Sequence, residues 1–161
     1  MYATQLASKL RVAAAAGFRR MGVGAPMAIS LDELQGWWKL MNAWHEFDTS
    51  ELRYPYGRSA VGSLVFTDDS RMMSVIIADR DTAHPAGYDM EAYSGRFALE
   101  GSEMITTVDV SSRLEWRNSN LRHFLSLSHD DFLCVTSTRQ ISSLYSGVPF
   151  TAAFRWFRMR R

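Results

Sequence analysis

With 161 residues, the chain is long enough for a single domain with its own core and needs neither disulfides nor metal to hold it. Its 18 basic and 17 acidic side chains leave a formal charge of +1, too weak a field to recruit nucleic acid. No apolar run approaches the roughly 20 residues of a spanning helix, so no membrane partner is expected, and the lone Cys134 fits a reducing, cytoplasmic setting.

Residues 1–30 differ from the rest. Lys9, Arg11, Arg19 and Arg20 precede the first acid, Asp32, an Ala-rich core runs from Val12 to Ala16, and Leu6, Leu10 and Ala13 to Ala14 fall at helical spacing. The pattern predicts a helical extension, ended by Gly22, Gly24 and Pro26, that either covers the mouth of the following domain or packs against a second subunit in a homodimer. An Arg-rich, acid-poor segment is also the composition of a transit peptide. Next, Ser30 with Glu33 three residues on forms a capping box and predicts a second, short helix.

From Trp37 onward the chain alternates with period two between clusters of Gly, Pro, Asp, Asn and Ser. Strands are predicted over 37–47, 60–66, 72–78, 92–99, 103–111, 121–128, 132–138 and 152–159. Turn sequences such as Thr67-Asp68-Asp69-Ser70 and Ser128-His129-Asp130-Asp131 join neighbours, so the predicted fold class is all-β, an antiparallel up-and-down barrel of about eight strands occupying 31–161. Two connections, 79–91 and 140–151, are longer and are expected to flank the mouth of an internal cavity. Cys134, in the run Phe132-Leu133-Cys134-Val135, is expected to be a core thiol.

Several separated segments, Gly36-x-Trp38-x-Leu40, Tyr54-Pro55-Tyr56-Gly57, Gly62-x-Leu64-x-Phe66-Thr67-x-Asp69-x-Arg71-Met72, Ala92-Tyr93-Ser94-Gly95-Arg96-Phe97 and Trp156-x-Arg158, together resemble the lipocalin-like domain proteins over about residues 34–159. The resemblance implies an antiparallel barrel with a ligand pocket. It also implies that Trp38 closes the narrow end under an arginine of the last strand, Arg155 or Arg158. Related small barrels act as cofactor-free cyclases, including Diels-Alder catalysts. The chain departs from similar proteins at Thr106-Thr107, where a histidine is common.

Two registers of the first strand are open. If Trp38 points inward, alternation carries Leu40, Asn42, Trp44 and Glu46 with it; otherwise Lys39, Met41, Ala43, His45 and Phe47 face inside. The first places a carboxylate in the lumen and makes Glu46 a catalytic candidate, because burial would raise its pKa toward neutrality. His123 shares a face with Leu121, Leu125 and Leu127 and is the second catalytic candidate, as an imidazole suited to proton transfer. Asn42, Trp44, Tyr54, Met73, Tyr93, Arg96 and Trp116 are the candidate ligand-binding residues, supplying rings, a pliable thioether and polar anchors. His45, His84, His123 and His129 lack metal-ligand spacing, and no Gly-x-Ser-x-Gly or dinucleotide loop is present, so no metal and no cofactor are expected. Two functions of different class remain, a cofactor-free cyclase or isomerase acting on an apolar polyketide- or terpenoid-type intermediate, and a non-catalytic carrier or sensor of an apolar small molecule; a filled barrel used for partner contacts through the N-terminal helix is a third alternative.

Overall fold

The computed structural model describes residues 28–79 and 89–160. The predicted N-terminal helix lies outside the described residues, which take in only positions 28–30 of the extension. There, the Ile29 amide already donates to the Gly101 carbonyl at 3.2 Å. Ser30 caps the helix α1 (Leu31–Leu34) as its sequence requires: its hydroxyl accepts from the Glu33 amide, and its own amide donates to the Glu33 carboxylate at 2.8 Å.

Among the described residues nine strands follow: β1 (Gly36–Phe47), β2 (Leu52–Arg53), β3 (Val61–Phe66), β4 (Arg71–Ile77), β5 (Met90–Glu100), β6 (Glu103–Ser111), β7 (Asn120–Leu127), β8 (Phe132–Ser137) and β9 (Phe150–Met159). All pairings are antiparallel, and β9 returns to β1, so eight strands close into an up-and-down barrel with no free edge. The eight predicted strands are all present. β2 is an addition, two residues paired with His45 and Glu46 at the end of β1, too short to carry a period of its own.

The narrow end is sealed as the resemblance implied. Trp38 is fully buried, its indole N–H donates to the Leu34 carbonyl at 2.8 Å, and the Arg158 guanidinium lies 4.2 Å from the ring centroid. Arg158 also donates to the main-chain carbonyls of Gln35 and Glu33, tying the last strand to α1. Arg155 instead faces outward over Phe132. Above the plug, Leu40, Phe66, Phe97, Met104, Leu133 and Trp156 fill the lower half of the barrel.

The upper half depends on an irregularity in β1. Leu40 lies opposite Trp156, but Asn42 lies opposite Arg155, so Met41 is an extra residue with no partner on β9. Trp38 and Leu40 point inward below this bulge; Ala43, His45 and Phe47 point inward above it, and Asn42, Trp44 and Glu46 are turned outside. Each register open in the sequence therefore holds for half of the strand. A second shift sits between β5 and β6: Ser94 faces Val110, Gly95 faces Val108, and Asp109 is left between them. Gly95 permits this close approach, since a Cβ there would stand 2.1 Å from the Thr107 carbonyl oxygen. Alternation also corrects the reading of Cys134. Leu133 and Val135 face the core, so Cys134 is partly exposed on the outer face, with burial still raising its thiol pKa.

Trp38→Ala should destabilise the barrel by about 3–5 kcal/mol in chemical denaturation, the cost of a large aromatic removed from a packed floor; a loss under ~1 kcal/mol would mean the plug is not structural. Met41→Ala should change stability little. Deleting Met41 removes the bulge, turns Phe47, His45 and Ala43 outward, and should lower stability by about 4 kcal/mol or more in the same measurement.

Candidate functional site in the barrel lumen

The upper half of the barrel holds a cavity of about 290 Å³. Its walls combine apolar side chains from Ile76, Leu121, Phe150 and Phe154 with an unusual density of titratable groups. The β8–β9 connection lines it through Gln140, Ser142 and Leu144, as expected for a mouth loop; most of the other expected mouth loop, 80–88, lies outside the described residues.

His45 enters the lumen only because the Met41 bulge turns it inward. Its Nδ1 is hydrogen bonded to the Tyr145 hydroxyl at 2.7 Å, and its ring stacks on Phe150 with centroids 4.3 Å apart. Tyr145 closes a short 3-10 turn, Ser143–Tyr145, whose start is capped by the Ser142 hydroxyl. Burial, reinforced by the nearby positive charge of Arg113, lowers the His45 pKa to about 4.

On the facing wall, Glu91 is buried between two donors. The Tyr56 hydroxyl donates to its Oε2 at 2.6 Å, and Arg113 Nη2 lies 2.5 Å from the same oxygen. Arg113 comes from the β6–β7 connection and spreads its guanidinium over the Trp116 ring at 4.5 Å. Burial raises the Glu91 carboxyl pKa, while Arg113 and Tyr56 pull it back toward the ionised form. Burial, and then the Glu91 charge, push the Tyr56 phenol well above its ordinary range.

Two residues along β5, on the same face as Glu91, Tyr93 meets His123 from β7. The two rings lie 13° from parallel with centroids 6.5 Å apart, and Trp116 meets Tyr93 edge-on at 5.6 Å. The Tyr93 phenol is raised by burial and stays protonated. Burial alone lowers His123 to a pKa of about 4, so at neutral pH it is an uncharged imidazole, and its Nδ1 has no hydrogen-bond partner among the described residues.

Of the residues singled out in the sequence, His123, Tyr93 and Trp116 line the cavity together. The bulge places Asn42, Trp44 and Glu46 on the outer surface, where Glu46 is exposed beside Thr151 and Leu52. Met73 and Arg96 also point outward, Met73 opposite Val65 and Ser94, Arg96 opposite Arg71. Tyr54 lies half-buried under Arg58, 4.3 Å from its ring, and the lumen takes Tyr56 instead. His45 belongs to the second register left open for the first strand, and Tyr56 to the Tyr54-Pro55-Tyr56-Gly57 segment of the resemblance; Glu91 and Arg113 were not anticipated. Glu91 was within reach, because Glu91-x-Tyr93 places both side chains on one strand face; Arg113 sits in a connection, where no periodicity announces a direction.

Two buried histidines held neutral make the protein acid-sensitive. Their folded pKa values lie below the unfolded value of about 6.5, so the unfolded chain binds more protons between pH 6.5 and 4. The stability they allow is fully present above about pH 6.5 and is lost as pH falls toward 4, on the order of 3 kcal/mol for each ring. Urea denaturation at a series of pH values should show His123→Phe losing about half of this slope. A variant with the full slope would place His123 in contact with solvent.

Residues 35–159 match the family model of the lipocalin-like domain. A search of curated proteins gives no match. The match covers most of the chain and runs from the residue before β1 to the last residue of β9, the limits of the closed barrel, and on that ground the chain belongs to the lipocalin-like domain family.

Proposed function

We propose that this protein is a cofactor-free isomerase or cyclase that works by proton transfer on a compact, largely apolar carbonyl compound of the polyketide or terpenoid type. The observation that carries the reading is the pairing of a neutral imidazole, His123, with a protonated phenol, Tyr93, side by side in an enclosed lumen. A substrate oxygen accepts from the Tyr93 hydroxyl, and His123 takes a proton from the carbon next to that carbonyl. Return of the proton to a different carbon gives an isomer. Attack of the resulting enolate on an electrophilic carbon of the same molecule closes a ring, and the proton passes from His123 to the group that received the electrons. No redox partner enters either balance.

Cavity size bears on the substrate. About 290 Å³ is the liquid volume of about ten water molecules and lies at the small end of ligand pockets, so a one- or two-ring molecule fits better than a long chain. Glu91 and Arg113 neutralise one another and both histidines are uncharged, which favours a neutral ligand. The second reading, a carrier or sensor, draws support from the same pair: with Tyr56 and Arg113 both on Glu91 Oε2, that carboxylate is held as part of the wall rather than freed for proton relay. A reducing, cytoplasmic setting suits a chain with one partly exposed thiol.

Native mass spectrometry of protein purified from its own host should reveal a small neutral molecule, and incubation should convert it to a product of identical mass and altered retention time. His123→Gln should lower kcat at least a hundredfold with little change in KM, and Tyr93→Phe at least tenfold. Because the base must be unprotonated, log(kcat/KM) should be flat from neutrality down to about pH 5 and fall below about pH 4. A bound molecule that is returned unchanged, with His123→Gln affecting only its affinity, would establish the carrier instead.

A further inference from the structure

The outer surface of this barrel is uneven. Outward positions of β9, the first half of β1, β3 and β4 lie directly opposite one another, Met159 beside Trp37, Trp37 beside Val65 and Val65 beside Met73, so they form one continuous face four strands wide. At neighbouring strand spacing that face is about 14 Å across. Solvent-facing strand positions ordinarily carry polar side chains, yet this face exposes Trp37 at 58%, Met159 at 51%, Met73 at 45% and Met41 at 45% of their surfaces, with Phe157 and Val61 beside them.

Its charges are equally one-sided. Lys39 and Arg155 stand among these apolar side chains, and no acidic residue occurs in β3, β4, β9 or residues 36–42 of β1. Neither cation has a salt bridge among the described residues. The opposite side of the barrel carries Glu103 with Arg122 and Asp109 with Arg71 at the border. Charge also argues against the two occupants nearest at hand. A second copy docked face to face across a two-fold axis would set two faces without an acidic side chain against each other and leave Lys39 and Arg155 with no countercharge, and the chain's own residues 1–27 carry four cations and no acid.

From this we infer that the β9–β1–β3–β4 face is a docking surface for an anionic lipid membrane, on which the barrel rests without spanning it. A soft lipid interface conforms to a convex barrel wall. Trp37, Phe157 and the methionines can enter the headgroup region while Lys39 and Arg155 meet lipid phosphates. No helix among the described residues is long and apolar enough to cross a membrane. This inference does not rest on the lumen chemistry, since none of its residues lines the cavity.

Co-sedimentation of the full chain with vesicles of mixed phosphatidylcholine and phosphatidylglycerol, against vesicles of phosphatidylcholine alone, tests it. The full chain should pellet with the anionic vesicles, and added salt should release it. The double substitution Lys39→Gln/Arg155→Gln should weaken the association roughly thirtyfold, at about 1 kcal/mol for each cation, and Trp37→Ser should weaken it further while leaving the thermal midpoint within a few degrees of wild type. Absence of pelleting overturns the inference. So does pelleting that is indifferent to all three substitutions, which would assign the affinity to residues 1–27. Sedimentation velocity provides the remaining arm: a concentration-dependent dimer abolished by Trp37→Ser would make the face a self-association surface and overturn the lipid assignment.

Discussion

The constraint on which this barrel rests is the seam between its first and last strands, and within that seam the single unpaired residue Met41. β1 must do two things that a regular strand cannot do together. Its lower half must deliver Trp38 and Leu40 to the floor, where Arg158 and the Leu34 carbonyl hold the indole. Its upper half must deliver Ala43, His45 and Phe47 to the wall of a cavity. Even-numbered and odd-numbered side chains point to opposite faces, so only an extra residue reconciles the two. The bulge decides which functional groups the lumen contains: a histidine comes in, and Asn42 and Glu46 stay in water.

What the lumen then offers follows from how burial weights charge. An isolated buried charge is costly, and the structure avoids one throughout the cavity. Both imidazoles are driven to the neutral form. Among the described residues the one deeply buried carboxylate, Glu91, has a guanidinium and a phenol directed at the same oxygen. The result is a space rich in hydrogen-bonding groups yet close to electrically neutral, suited to an uncharged molecule with one or two polar atoms. The same weighting separates His123 from His45. His45 has Tyr145 as a partner and serves the mouth, while the neutral imidazole of His123 beside Tyr93 is the group with no such commitment at Nδ1.

Much of the architecture was legible in the sequence because it rests on local regularities. The eight strands announced themselves by alternation, the Ser30–Glu33 cap by spacing, and the inward direction of His123 by its leucine neighbours. The site was less legible, for reasons that differ residue by residue. A bulge adds one residue and leaves no signature in composition, so Glu46 and His45 exchange places without any change in pattern. Tyr56 and Arg113 come from connections, whose side-chain directions are set by tertiary packing. Met73 illustrates a third cause: an apolar residue in a strand suggests the interior, but the rule that apolar residues lie inside runs one way only. Here the outer wall carries a share of them, and it was the register of β3 and β4, not their hydropathy, that placed Met73 outside.

The small aromatic cluster at the rim has a consequence for how the mouth is held. Tyr145 packs edge-on against Phe47 and Phe150, is bonded to His45 through its hydroxyl, and lies under the Arg53 guanidinium. These partners come from β1, β2 and β9, so one ring fastens the β8–β9 connection to the closing seam of the barrel. Any local opening of that connection must break contacts with the seam itself, and the rim is therefore anchored where the barrel closes.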